Sequence, residues 1–316
     1  MKAIITGGLG QIGSHVAELL IARGDHVLIL DDLSTGRPEH MKDHPNLEVV
    51  IDTVYNRKLV YSLVNNYKPD VIIHAAASFK NPDDWYNDTL TNCVGGINVI
   101  QAAKDYNVKR FIYFQTSLCY GQISQDLPIK INQPRNPSGS SYAISKTTNE
   151  LYLELAGIDY VSFRLANVIG QRNVAGPLPI FYKRLKEGKV CYVTKSKRDF
   201  VYVKDLAKIV LQACDGVGYG PYHFSTGNDV AIVDLYNEVL KQMDIKHQHK
   251  YKEIELGEDD VFTIKLDPSE TFEIFGIMEF TPLNIIVKDA IKYYKEYGVK
   301  NEYTHLKIDP LTDSKN

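Results

Sequence analysis

Apolar positions along the chain fall into two alternating rhythms. Short runs of β-branched and aliphatic residues at 2–6, 26–30, 47–51, 71–74, 110–115 and 160–163 read as strands. Between them, residues 14–23, 56–66, 89–106 and 141–155 repeat apolar side chains every three or four positions and read as amphipathic helices. Gly24 stands just past the first of these, where a helix C-cap belongs. The strand runs are continuously apolar rather than alternating, the pattern of strands covered on both faces. Strands separated by helices pair in parallel through crossovers, so the expected class is α/β with a doubly wound parallel sheet.

After Leu165 the rhythm loosens. Residues 170–179 read as a loop, 181–187 as a short basic helix, 204–213 as a helix and 221–225 as a strand. Two further helices are expected at 233–243 and 284–297. This divides the chain into a domain of residues 1–167, to which 199–228 return, and a smaller mixed α/β domain of residues 168–198 and 229–316. The polar tail after Lys307 is expected to be loose. A length of 316 residues is ample for two cores of this kind.

Composition narrows the functional class. Net charge −3 argues against general binding to nucleic acid or anionic membrane, which requires a sustained basic excess. Arg172, Lys183, Arg184 and Arg198 form only a local basic cluster. No secretory leader is expected at the start, and no run approaches the ~18 apolar residues of a membrane span. The four cysteines show no metal-ligand spacing and no disulfide-rich pattern, so no metal is expected and a reducing cytoplasm is the expected setting.

The first strand runs directly into Gly7-Gly8-Leu9-Gly10-Gln11-Ile12-Gly13. Glycines at this spacing permit a tight turn, close approach of backbone to a pyrophosphate, and close packing of helix on strand, with the pyrophosphate on the helix N-terminus. A dinucleotide-binding Rossmann half is therefore expected. Asp31 closes the second strand, where a carboxylate accepts the adenosine-ribose hydroxyls and repels a 2′-phosphate, which favours NAD over NADP. Adjacent Asp32 competes for the role. Tyr-x-x-x-Lys occurs three times, at Tyr142/Lys146, Tyr182/Lys186 and Tyr303/Lys307. Only the first follows a complete nucleotide-binding half and a hydroxyl-bearing strand end. A phenol of pKa near ~10 is a poor base, and a lysine one turn away stabilises its phenolate; a fall of about three units corresponds to roughly 4 kcal/mol.

The chain resembles the extended short-chain dehydrogenase/reductase family in its NAD-dependent nucleotide-sugar epimerase and dehydratase branch, and within it is similar to bacterial epimerases of lipopolysaccharide O-antigen synthesis. The likeness rests on the glycine turn, Pro69-Asp70-Val71-Ile72-Ile73-His74-Ala75-Ala76, Asn92, Thr116 to Gly121, Tyr142 to Lys146, Arg164-Leu165-Ala166-Asn167, and Arg198-Asp199-Phe200-Val201-Tyr202-Val203-Lys204-Asp205. It implies Thr116 as a hydroxyl donor to the reacting oxygen, with Ser117 as its rival, Tyr142 as base and Lys146 as its partner. It implies cofactor contacts from Gly7, Gly10, Gln11, Ile12, Gly13, Asp31, Asp32, Ser34, Thr35, Thr53, Ala75, Ala76, Ala77 and Asn92. Nucleotide-diphosphate contacts are implied for Asn167 and Arg198, and sugar recognition for Phe79, Lys80, Ser117 and the surroundings of Arg172. A homodimer through helices 89–106 and 141–155 is also implied.

Departures from the family pattern narrow the reaction. Family dehydratases carry Asp-Glu after the catalytic threonine, whereas this chain has Ser117-Leu118. Cys119 is one residue out of register with the cysteine of related 3,5-epimerases. No third acid–base group is evident, so epimerisation at C4 of a UDP-sugar is the expected activity. The alternatives are a dehydratase or 4-ketoreductase, and a non-catalytic NAD sensor. Thr53 stands where an acid usually touches adenine. Glu255 to Glu258 replace a segment whose arginine holds a phosphate in the family, so that contact is expected either to be missing or to come from elsewhere, with Arg172 as the candidate.

Overall fold

Aliphatic runs that can leave neither face in water form the centre of the molecule. The computed structural model describes residues 1–79, 81, 83–121, 127–245, 251–256, 261–300 and 303. The chain opens with β1 (Lys2–Thr6), α1 (Gln11–Ala22), β2 (His26–Asp31), β3 (Leu47–Ile51), α2 (Arg57–Tyr67) and β4 (Val71–His74). Next come α3 (Trp85–Asp88), a π-helical stretch (Thr89–Gly95), α4 (Gly96–Asp105), β5 (Arg110–Thr116), α5 (Ser141–Ala156) and β6 (Tyr160–Leu165). All six expected strands are present. Beyond them lie β7 (Asn167–Ile169), α6 (Pro177–Lys186), β8 (Tyr192–Val193), β9 (Lys197–Arg198), β10 (Phe200–Tyr202), α7 (Val203–Cys214) and β11 (Gly220–Phe224). The remaining elements are β12 (Val230–Ala231), α8 (Ile232–Gln242), β13 (Lys252–Glu253), α9 (Ser269–Phe275) and α10 (Leu283–Tyr297).

Seven strands pair in parallel in the order β11-β6-β5-β4-β1-β2-β3. Successive residues serve opposite faces. Ile5 and Ile29 pack with Val16 and Leu20 of α1 and Leu206 and Val210 of α7, while Ile4 and Leu28 pack with Val60, Val99 and Leu153 of α2, α4 and α5. The strand order reverses between β1 and β4, which opens a crevice at their C-terminal ends. A second core joins Leu178, Phe181, Leu235, Tyr236, Val287 and Tyr294 of α6, α8 and α10.

Two expectations change. Pro177 and Pro179 open α6 instead of belonging to a loop, because a proline in the first turn loses no hydrogen bond. The helix expected over 89–106 is divided by the π-helical stretch, where Asn149 of α5 donates to the Asn92 carbonyl. Within 199–228, Phe200 and Tyr202 pack in the second core, whereas Val201, most of α7 and β11 pack with the large sheet. Phe275 of α9 and Phe280 pack on the first core, so this part of 229–316 covers the sheet. Among the described residues no helix is long and apolar enough to cross a membrane, no group of side chains could hold a metal ion, and all four cysteines are free.

Candidate active site

The glycine turn lies at the β1–β4 crevice and has no room for side chains. Gly7 adopts φ +67, and a Cβ on it would stand 2.6 Å from the Ala76 nitrogen. Ala75 and Ala76 are held by the Thr6 carbonyl and hydroxyl at 2.9 and 3.4 Å, and with Ala77 they form the half-buried facing wall. Gly13 packs against the Gly7 carbonyl, seating α1 so that Gly10, Gln11 and Ile12 form its first turn. Asp31 is buried, and its two oxygens accept from the Leu9 and Leu33 amides, both at 2.9 Å. Burial raises its carboxyl, and Asp32 adds to that, while the two amides oppose it. Asp32 itself is exposed and turns its carboxylate back to the Ser34 amide. Position thus separates the two acids. Ser34 and Thr35 continue the same turn, and Gly36 leaves room for the Asp31 carboxylate against its Cα. Asp52 is occupied by the Thr53 amide and Asn56, which leaves the Thr53 hydroxyl at the end of β3. A bare glycine cradle, a buried ribose-level carboxylate and a narrow wall fit NAD.

Across the crevice, α5 brings Tyr142 and Lys146 beside the end of β5. Thr116 is half-exposed and caps the following turn by accepting from the Leu118 amide at 3.2 Å, while Ser117 is buried. Thr116 is therefore the more accessible hydroxyl. Cys119 is fully buried with Tyr120, Ile129 and Leu266, and burial pushes its thiol up to about 12. Lys146 is 2% exposed, and burial brings its amine down to about 7, with Glu150 opposing the fall. Its Nζ stands 4.2 Å from the centre of the Tyr113 ring, whose hydroxyl donates to the Lys146 carbonyl at 2.8 Å. Behind that ring His74 stacks at 5.9 Å and meets Thr6 Oγ1 at 2.6 Å. The expected lowering of the Tyr142 phenol is not what the protein groups produce: burial, then the charge of Asp88, raise it. A phenolate here needs positive charge beyond the lysine.

Several of the residues with implied contacts are held by protein partners. Asn92 accepts from the Ser78 amide at 2.8 Å and donates to the Ser78 carbonyl and Ser145 hydroxyl at 2.9 and 3.0 Å. Its amide is engaged within the protein and holds the wall in place. Arg172 donates to Ser14 and Glu18 on α1, which ties it to the dinucleotide half. Arg198 lies in β9 and donates to the Val261 carbonyl at 2.7 Å; Asn167 is exposed at the start of β7. Phe79 is half-buried at the crevice wall, Glu255 is exposed, and Lys80 and Lys307 lie outside the described residues. Sequence reasoning missed Tyr113, Ser78, Ser145 and Asp88. Asp88, 1% exposed, precedes Asn92 by one helical turn, and that spacing was its only signal.

Comparison with known proteins agrees with this geometry. The structure is similar to that of the Bordetella bronchiseptica enzyme WbmH, solved in complex with NAD+, with 57% identity, a TM-score of 0.92, and 94% of this chain and 99% of that chain covered. It also resembles the B. bronchiseptica enzyme WbmG in complex with NAD and UDP, with 36% identity, a TM-score of 0.88, and 97% and 99% of the two chains covered. A UDP-glucose 4-epimerase of Mycolicibacterium smegmatis is 28% identical across 93% of this chain and 99% of that protein. The family model matches residues 3–224, which contain the glycine cradle, Asp31, Thr116, Tyr142 and Lys146 together, and so the chain belongs to the NAD dependent epimerase/dehydratase family.

Proposed function

We propose that this protein epimerises a UDP-sugar at C4 through a 4-keto intermediate, with NAD retained between cycles. The observation that carries the reading is the convergence of Thr116, Tyr142 and Lys146 on the crevice that the glycine turn and Asp31 prepare for the dinucleotide. The Thr116 hydroxyl orients the C4 oxygen and Tyr142 Oη takes its proton. Lys146, held over Tyr113, supports negative charge on that phenol. When bound, NAD accepts and returns the C4 hydride and places positive charge beside the phenol, opposing the rise caused by burial and Asp88. The 4-keto sugar turns within the pocket so that its opposite face receives the hydride, and Tyr142 returns the proton to the C4 oxygen, which completes the inversion. Uridine follows from the likeness to WbmG, whose structure holds UDP. With no Asp-Glu pair after Thr116, expulsion of water from C6 lacks its acid and base, which favours epimerisation over dehydration. The test is incubation of purified protein with a panel of UDP-hexoses, N-acetylhexosamines and uronates, with products read by NMR. Water loss, or cofactor left reduced, would favour the dehydratase or ketoreductase instead.

We also propose a homodimer acting in the cytoplasm. α5 packs its inner face on the sheet yet leaves Ile144, Leu151, Tyr152 and Leu155 exposed, beside Val94 on the π-helical stretch. A second copy of this face would cover it. A monomer by light scattering at micromolar concentration would refute the dimer.

A further inference from the structure

Asp88 has no structural reward for its burial. It ends α3, which packs on α5, and is 1% exposed. Neither of its oxygens meets a donor at hydrogen-bonding geometry. The Ser78 and Ser141 hydroxyls only moderate a carboxyl that burial raises. A buried carboxylate that protein donors satisfy this poorly is destabilised. This one also opposes the chemistry beside it, since its charge disfavours the Tyr142 phenolate. Its surroundings are the Ser78 segment after β4, the first turn of α5, and Tyr303, whose phenol its charge also raises. Tyr303 is bridged to Ala175 and forms another wall here. A buried acceptor among such walls, next to the proposed base, suits a ligand that brings its own donor.

We propose that Asp88 is a specificity-determining residue that accepts a hydrogen bond from an O–H or N–H donor at C3 of the bound sugar. This rests on the epimerase reading, in which Tyr142 works on the C4 oxygen. The C3 substituent is vicinal to that oxygen, so it is the ring donor held closest to it. The substrate class is then a UDP-sugar with a hydroxyl or acylamino group at C3, and a C3 group that only accepts hydrogen bonds is rejected.

The test is calorimetry on the NAD-loaded protein with UDP, UDP-glucose and the 3-deoxy-3-fluoro analogue of UDP-glucose, which retains size at C3 but loses the donor. Wild type should bind UDP-glucose roughly 10- to 100-fold more tightly than the fluoro analogue, the range for a charge-assisted hydrogen bond. Asp88→Ala should shrink that ratio to within about threefold while binding UDP as wild type does. Equal binding of the two sugars by wild type overturns the proposal, as does a variant that keeps the full ratio. If Asp88→Ala does not fold, Asp88→Asn carries the comparison, with a ratio reduced to between those of the other two proteins. A protein that epimerises UDP-glucose and binds both sugars equally refutes Asp88 alone. One that binds UDP-sugars but never epimerises any refutes the parent reading.

Discussion

Two helices carry the same Tyr-x-x-x-Lys spacing and meet opposite fates. On α5, Lys146 is 2% exposed, with its amine 4.2 Å from the centre of the Tyr113 ring at the end of the parallel sheet. On α6, Lys186 is exposed and lies 5.9 Å from the ring of Tyr182, which is buried against Tyr294 in the second core. The first lysine has lost water and is tuned to about 7, whereas the second packs its stem and leaves its charge in solvent. Spacing aligns two side chains on a helix; the sheet edge beneath decides whether they can do chemistry.

The largest effect separates these helices directly. Tyr142→Phe should lower turnover roughly 10²–10⁴-fold or more while NAD and UDP binding persist, because only the proton-transferring oxygen is lost. Tyr182→Phe should leave the rate nearly unchanged. Comparable losses in both variants, by NMR-monitored turnover and calorimetry, would erase the contrast. Tyr303→Phe, whose spacing also matches, is not a clean control, since its phenol feels the charge of Asp88.

Lys146→Met should stabilise the cofactor-free protein at pH 6 by a few kcal/mol and much less at pH 9, read from thermal unfolding. The folded amine near 7 lies below its ordinary 10.5, so its buried charge penalises folding below pH 7 and the penalty fades as pH rises toward 10.5. The full shift corresponds to roughly 4–5 kcal/mol, an upper bound for the effect. A uniform change in stability across that window would contradict the burial argument. The equivalent change at Lys186 should do little at either pH.

NADP should bind at least about tenfold more weakly than NAD by calorimetry, because a 2′-phosphate would meet Asp31. Arg37 cannot compensate, being buried and directed to the Lys300 carbonyl at 3.4 Å. Equal affinities would remove Asp31 from the ribose. Thr116→Ala should slow turnover about tenfold, the worth of one hydrogen bond, and Ser117→Ala less. The opposite ranking would reverse the assignment of the hydroxyl. Smallest, Tyr113→Leu should move the alkaline limb of the pH–rate profile to lower pH by up to about one unit, and Tyr113→Phe should largely restore it, since the ring face supports the ammonium. An unshifted Tyr113→Leu profile would mean that the platform does not hold the lysine's charge.

Elements whose identity depends on local pattern were legible without the fold. The six strands, the glycine turn, Asp31 at a strand end and the Thr116–Tyr142–Lys146 set all follow from periodicity, glycine spacing and family resemblance. The second domain was less legible. Its strands are two or three residues long, too short to carry a period, and part of the segment assigned to it packs on the large sheet instead.

The sequence by itself determined a parallel α/β sheet with a dinucleotide turn and one tyrosine–lysine pair downstream of it, because backbone freedom at glycine and strand or helix periodicity are local properties. Only the tertiary structure decided which of two adjacent acids is buried, that Asn92 clasps the wall, that Arg172 pairs with Glu18, and that Asp88 and Tyr113 stand beside Tyr142. Those outcomes depend on burial and on partners distant in the chain. Asn92 and Ser145 share a hydrogen bond, as do Arg172 and Ser14, yet each pair is far apart in sequence. Desolvation acts in space, and no spacing rule along the chain records it.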